Sequence, residues 1–99
     1  MTDLRAAAKG RDCQCRFPGI CNHNPETVVL AHIRRGGVAG TGYKPRSDLV
    51  GVLACSACHD ELDGRTRHIE RSVLDGYLID AWARTIDLWA REGLIGRKK

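Results

Sequence analysis

The run from Ala54 to Asp60 reads Ala54-Cys55-Ser56-Ala57-Cys58-His59-Asp60. Two cysteines with two residues between them can grip one tetrahedral zinc ion without strain. Ahead of them, Asp48 to Ala54 (DLVGVLA) is β-branched and apolar, which predicts a strand. Behind them, Ser56 is the predicted N-cap of a short helix to about Asp63, with Gly64 as its stop. The centre of the chain therefore reads as strand, C-x-x-C, helix.

Working outward, Thr27 to Ile33 (TVVLAHI) is a second β-branched, apolar run and predicts the partner strand, antiparallel to the first. The connection between the two strands, Arg34 to Ser47, carries glycines at 36, 37, 40 and 42 and one proline, and reads as a long mobile loop. Upstream, Asp12 to Pro25 is a loop with turn signals at Pro18-Gly19 and Asn24-Pro25, and Leu4 to Lys9 is one helical turn ended by Gly10. Downstream, apolar residues recur at Val73, Leu74, Tyr77, Leu78, Ala81, Trp82, Ile86 and Trp89. Steps of three and four predict an amphipathic helix over about Ile69–Arg91, closed by Gly93, with Trp82 and Trp89 as core residues packed on the ββα unit. The expected fold is α+β, a single domain over 1–99, with a zinc-stapled ββα core at about 11–64 and a C-terminal packing helix at about 69–92.

A chain of 99 residues with one Phe and one Met has few large side chains before Leu74 and needs a staple. Five cysteines supply the material. The charged N-terminus lacks the apolar core of a signal peptide, and no stretch approaches a membrane span, so a reducing cytoplasm is expected and metal ligation precedes disulfides. Cys55 and Cys58 need two more ligands from Cys13, Cys15 and Cys21. Cys13 with Cys21 is the first choice and leaves Cys15 spare; Cys15 with Cys21 is the rival, and His23 substitutes if Cys13 does not ligate. Zinc binding of this kind supplies on the order of 10 kcal/mol of folding free energy. The C-x-x-C-H string is also the haem-attachment pattern, but that chemistry occurs outside the cytoplasm, the only methionine is Met1, and haem leaves the upstream cysteines unexplained.

Sixteen basic against twelve acidic residues give a net charge of +4, which permits a polyanionic partner without requiring one. Between Arg34 and Ser47, Arg34, Arg35, Lys44 and Arg46 meet no acidic residue and are candidate phosphate contacts; Arg97-Lys98-Lys99 reads as a solubilising tail.

The order of these parts resembles the HNH, or ββα-metal (His-Me finger), nuclease motif. The strings Arg11-Asp12-Cys13-Gln14, Pro18-Gly19-Ile20-Cys21-Asn22, Asn24-Pro25-Glu26-Thr27, Leu30-Ala31-His32-Ile33-Arg34 and Ala54 to Asp60 together resemble the YbcO-like family of phage and prophage proteins, regarded as nucleases, over about Leu4–Gly93. The resemblance implies a metal-dependent endonuclease that hydrolyses phosphodiester bonds in DNA, with RNA as an alternative. His32 matches the general base, and a neutral imidazole suits that task near pH 7. His59 matches the metal position on the helix. Asp63, four residues on, leaves the same helix face and is the expected second ligand for Mg²⁺ or another divalent ion. Two departures stand out. Ala31 occupies a position where many such sites carry a ligand, and the middle Asn has no clean counterpart, Asp48 being nearest in character. They support the alternative of a zinc-stabilised nucleic-acid-binding module without catalysis. A third reading, an interaction protein whose long helix docks a partner, is favoured by exposure of Trp82 or Trp89 and opposed by their burial. A dimer is compatible with all three.

Overall fold

The computed structural model describes residues 3–33 and 47–95. The elements run α1 (Leu4–Ala7), a 3₁₀ turn (Pro25–Thr27), β1 (Val29–His32), β2 (Gly51–Ala54), α2 (Ser56–Leu62) and α3 (Arg71–Arg91). The strands pair antiparallel, with Val29 opposite Ala54, Leu30 opposite Leu53, Ala31 opposite Val52 and His32 opposite Gly51. Gly51 is required by close approach. A Cβ there would lie 3.1 Å from both the Ala31 carbonyl oxygen and Leu30 Cδ1.

A two-stranded sheet leaves an open backbone edge on each strand, and buried N–H and C=O groups must find partners elsewhere. All four residues of β2 are buried. Its outer edge is closed from two directions at Leu53. The Leu53 carbonyl accepts from Gln14 N at 2.8 Å and Cys15 N at 3.3 Å, while Leu53 N donates to Thr85 Oγ1 at 3.3 Å. The Thr85 hydroxyl in turn donates to the Ala81 carbonyl at 2.8 Å. One residue of β2 therefore holds both the N-terminal loop and α3.

Helix α3 buries Leu74, Leu78, Ala81, Thr85 and Trp89 against β2. The buried stripe is displaced from the predicted one. Trp89 is fully buried, but Trp82 is 38% exposed and donates from Nε1 to the Leu49 carbonyl at 2.8 Å, so it fastens the rim instead of filling the core. Val73 and Tyr77 are exposed as well. Thr85 takes an inward place that the apolar pattern did not assign. The helix begins at Arg71, two residues after the predicted start, because His68 N and Ile69 N already donate to the Glu61 carboxylate. Trp89 packs under the Arg11 guanidinium, 5.1 Å from the ring centroid, and Arg11 forms a two-pronged ion pair with Glu92, both contacts 2.6 Å.

The cap of α2 also differs from expectation. Cys55 is the N-cap, its Sγ accepting from Cys58 N at 3.4 Å, and Ser56 is the first helical residue. Gly64 ends the helix with φ +83°, a left-handed conformation that glycine adopts without strain.

Candidate metal centre and active site

Four thiols meet where β2 passes into α2. Cys55 and Cys58 flank the first turn of the helix. Cys13 arrives on the loop pinned to Leu53, and Cys21 follows a turn in which Ile20 N and Cys21 N both donate to the Phe17 carbonyl at 3.0 Å. The ligand atoms of Cys13, Cys21, Cys55 and Cys58 all lie within 4.8 Å of one another, and Cys21 Sγ stands 3.9 Å from Cys55 Sγ. A tetrahedral zinc with bonds of about 2.3 Å separates its sulfurs by roughly 3.8 Å, so the donor set and spacing suit structural zinc. Asn22 N, 3.5 Å from Cys55 Sγ, donates toward a sulfur, as the surroundings of zinc thiolates do. His23 Nδ1 lies 3.6 Å from Cys21 Sγ and stands beside the four sulfurs, not among them. Cys15 is buried but outside the group.

The thiols perturb one another. Cys13 is held far below the ordinary thiol range, first by a hydrogen bond from Cys15 and then by one from Cys58. The same contacts with Cys13 push Cys15 and Cys58 far above it. Burial pushes Cys21 up to about 11. Crowded thiols oppose one another's ionisation, and a dication among them lets all four ionise.

The two histidines singled out from the sequence each meet a carboxylate. His32, at the end of β1, has a side chain only 10% exposed, and its Nε2 lies 2.8 Å from Asp48 Oδ1. Asp48 sits in the turn leading to β2, which is fixed by Leu49 N donating to Ser47 Oγ and Val50 N to the Ser47 carbonyl. An ionised carboxylate only accepts hydrogen bonds, so in this contact Nε2 is the donor and Asp48 Oδ1 the acceptor. On α2, His59 Nε2 and Asp63 Oδ2 are 3.0 Å apart. They form a nitrogen and oxygen pair one helical turn apart on a single face. Among the described residues no third His, Cys, Asp or Glu joins this pair to make a group like the cysteine cluster. Arg34, Arg35, Lys44 and Arg46, the candidate phosphate contacts, lie outside the described residues.

Two residues carry more than the sequence suggested. Asp48, noted only as the nearest stand-in for an Asn, holds the candidate base. Glu61, not singled out from the sequence, is fully buried and receives Thr66 Oγ1 at 2.6 Å, His68 N at 2.8 Å and Ile69 N at 2.7 Å. Burial opposes its charge, yet those donors together hold its pKa below the ordinary value. The available signal was position: Glu61 lies three residues after Cys58, on the inward face of α2.

An antiparallel hairpin, a helix beginning at its second strand's end and four thiols clasping the junction define a small α+β protein built around a site suited to zinc. The chain belongs to the family described as "Putative nuclease YbcO", which it matches over residues 2–94. It is 54% identical over 95 residues to "Putative nuclease YbcO" of Escherichia coli (strain K12), covering 96% of this chain and 98% of that protein. The same figures hold for "Putative nuclease ybcO" of Enterobacteria phage 82. A solved structure described as "Structure of a putative bacteriophage protein from Escherichia coli str. K-12 substr. MG1655" superposes with a TM-score of 0.76 at 46% identity, covering 92% of this chain and all of that one.

Proposed function

We propose that the chain is an HNH-type, metal-dependent endonuclease that hydrolyses phosphodiester bonds in DNA. The observation that carries the proposal is the 2.8 Å contact between His32 Nε2 and Asp48 Oδ1, which fixes a largely buried ring and, when that ring is neutral, makes Nδ1 the proton acceptor. That is what a general base for an attacking water requires. Asp48 also stabilises the imidazolium once the proton has moved, as the orienting acid of a His–Asp pair does. His59 and Asp63 would hold Mg²⁺ or another divalent ion, whose chemistry when bound is charge relief at the phosphate and at the leaving oxygen. With only two protein ligands, such an ion keeps several waters and binds weakly. Arg34, Arg35, Lys44 and Arg46 serve the phosphate backbone in this reading. The cysteine cluster is structural, joins the loop to the strand–helix junction, and implies a reducing compartment, the cytoplasm.

One observation favours the alternative of a binding module without catalysis. Ala31, 1% exposed, puts a methyl group where many HNH sites place a ligand. The test is nicking of supercoiled plasmid by zinc-loaded protein across Mg²⁺ and Mn²⁺ concentrations. His59→Ala and Asp63→Ala should retain structural zinc and need far more divalent ion, or lose nicking. Full activity of both at wild-type ion concentrations would remove the metal role from this pair.

A further inference from the structure

Three arginines follow α2, Arg65 and Arg67 in the short connection to α3 and Arg71 at the first position of α3, and the structure divides their work. The C-terminal carbonyls of a helix attract cations. Here Arg71 meets that need: its NH1 donates to the Glu61 carbonyl at 3.1 Å and its NH2 to the Leu62 carbonyl at 3.2 Å. Arg65 and Arg67 are not needed as caps. Arg65 is held over the His59–Asp63 face, NH1 2.9 Å from Asp60 Oδ1 and NH2 3.5 Å from Asp63 Oδ2, while its backbone N donates to the Asp60 carbonyl at 2.9 Å. Arg67 lies across Gly64, where a Cβ would come within 3.2 Å of its NH2, and among the described residues it forms no ion pair. Both arginines are exposed.

Two exposed guanidinium groups thus bracket the end of α2, one beside the candidate metal ligand and one without an acidic partner among the described residues. Exposed ion pairs of the Arg65 kind contribute little to stability, so the arrangement has little value as a staple. Its value is position. Planar guanidinium forks match the geometry of phosphate oxygens, and Arg65 can exchange a carboxylate for a phosphate at small cost.

We propose that the α2–α3 connection is a phosphate-binding edge of the nucleic-acid site. Arg65 takes the phosphate at the His59–Asp63 face and Arg67 a neighbouring phosphate of the same backbone. The partner is a phosphodiester chain, held without reading its bases. This rests on the proposed nuclease reading for its substrate, but not on catalysis.

The test measures binding of a fluorescein-labelled DNA duplex by anisotropy across a salt series, using zinc-loaded full-length protein carrying His32→Ala to prevent cutting. Each phosphate contact contributes about 0.9 to the slope of log affinity against log salt. Arg65→Gln with Arg67→Gln should lower the slope by about that amount per arginine and weaken binding about tenfold at low salt. Arg65→Lys with Arg67→Lys should restore most of the slope. Arg91→Gln, with the same charge change on an exposed arginine paired to Asp87, should leave slope and affinity at the parent values. Zinc content and thermal midpoint, checked for each variant, should match the parent. A double Gln variant with the parent's slope and affinity overturns the proposal, as does an equal loss in Arg91→Gln. A parent that binds no duplex at any salt concentration removes the nucleic-acid reading itself. Loss of slope in the double Gln variant, together with a wild-type protein that nicks no substrate, would retain this edge while ending the nuclease assignment.

Discussion

Replacing Thr85 by Val tests how the long helix is held to the sheet. Thr85 is fully buried, and its hydroxyl is the partner of Leu53 N on the outer edge of β2. Val has nearly the same shape but cannot accept that hydrogen bond. A buried donor left without a partner costs about 1–3 kcal/mol. The hydroxyl's own donation to the Ala81 carbonyl matters less, because that carbonyl keeps its helical partner. The added methyl returns at most about 0.8 kcal/mol. From the middle of that range, about 2 kcal/mol, the net cost is about 1–2 kcal/mol, and in a chain of this size each kcal/mol moves the thermal midpoint by about 4–8 °C. Thr85→Val in zinc-loaded protein should therefore melt about 5–15 °C below wild type by far-ultraviolet circular dichroism. Hydrogen exchange should quicken at the Leu53 amide more than at its neighbours. Thr85→Ser, which keeps the hydroxyl, should keep Leu53 protected. A Val variant melting within about 2 °C of wild type, with Leu53 still protected, would refute the reasoning.

Three further outcomes follow from the same contacts. Cys58→Ser should lose zinc and the α2 signal, whereas Cys15→Ala should keep one zinc per chain by elemental analysis; loss of zinc from Cys15→Ala would place that thiol in the metal site. Because Glu61 has a folded pKa below its ordinary 4.5, its contribution is complete above that value and is lost as pH falls through the folded pKa. Urea midpoints measured between neutral and acid pH should therefore converge for wild type and Glu61→Gln at the acid end and diverge above it; a constant gap would contradict the assignment. Asp48→Ala, by freeing the His32 ring, should lower single-turnover cleavage by about 10-fold to 100-fold with zinc content unchanged, because a misoriented base forfeits part of its 10²–10⁴ effect.

Features with a local cause were legible in the sequence. The strands were written in β-branched runs, α2 in C-x-x-C and Gly64, and α3 in steps of three and four. The four thiols were nameable because C-x-x-C needs two further sulfurs, and only three remained upstream. The choice among those three is made by backbone. Leu53 receives Gln14 N and Cys15 N, which fixes the loop so that Cys13 joins the cluster and Cys15 lies outside it. Trp82 was misplaced, and Thr85 and Glu61 went unread, for one shared reason. Each is polar or amphipathic, and its place depends on a backbone group outside its own helix: Leu53 N, His68 N with Ile69 N, and the Leu49 carbonyl. Apolar periodicity carries no record of such partners. Asp48 was visible as a residue but not as the partner of His32, since the two are separated by the long loop between the strands.

The central claim is that His32 is the base of a working nuclease. The direct measurement is the nicking rate of supercoiled plasmid with Mn²⁺ or Mg²⁺ for wild type and His32→Ala, purified identically and matched in zinc content and melting temperature. The account predicts nicking by wild type that falls at least about 100-fold in the variant. Equal nicking by both proteins, or none by wild type on duplex, branched and single-stranded substrates, would contradict it.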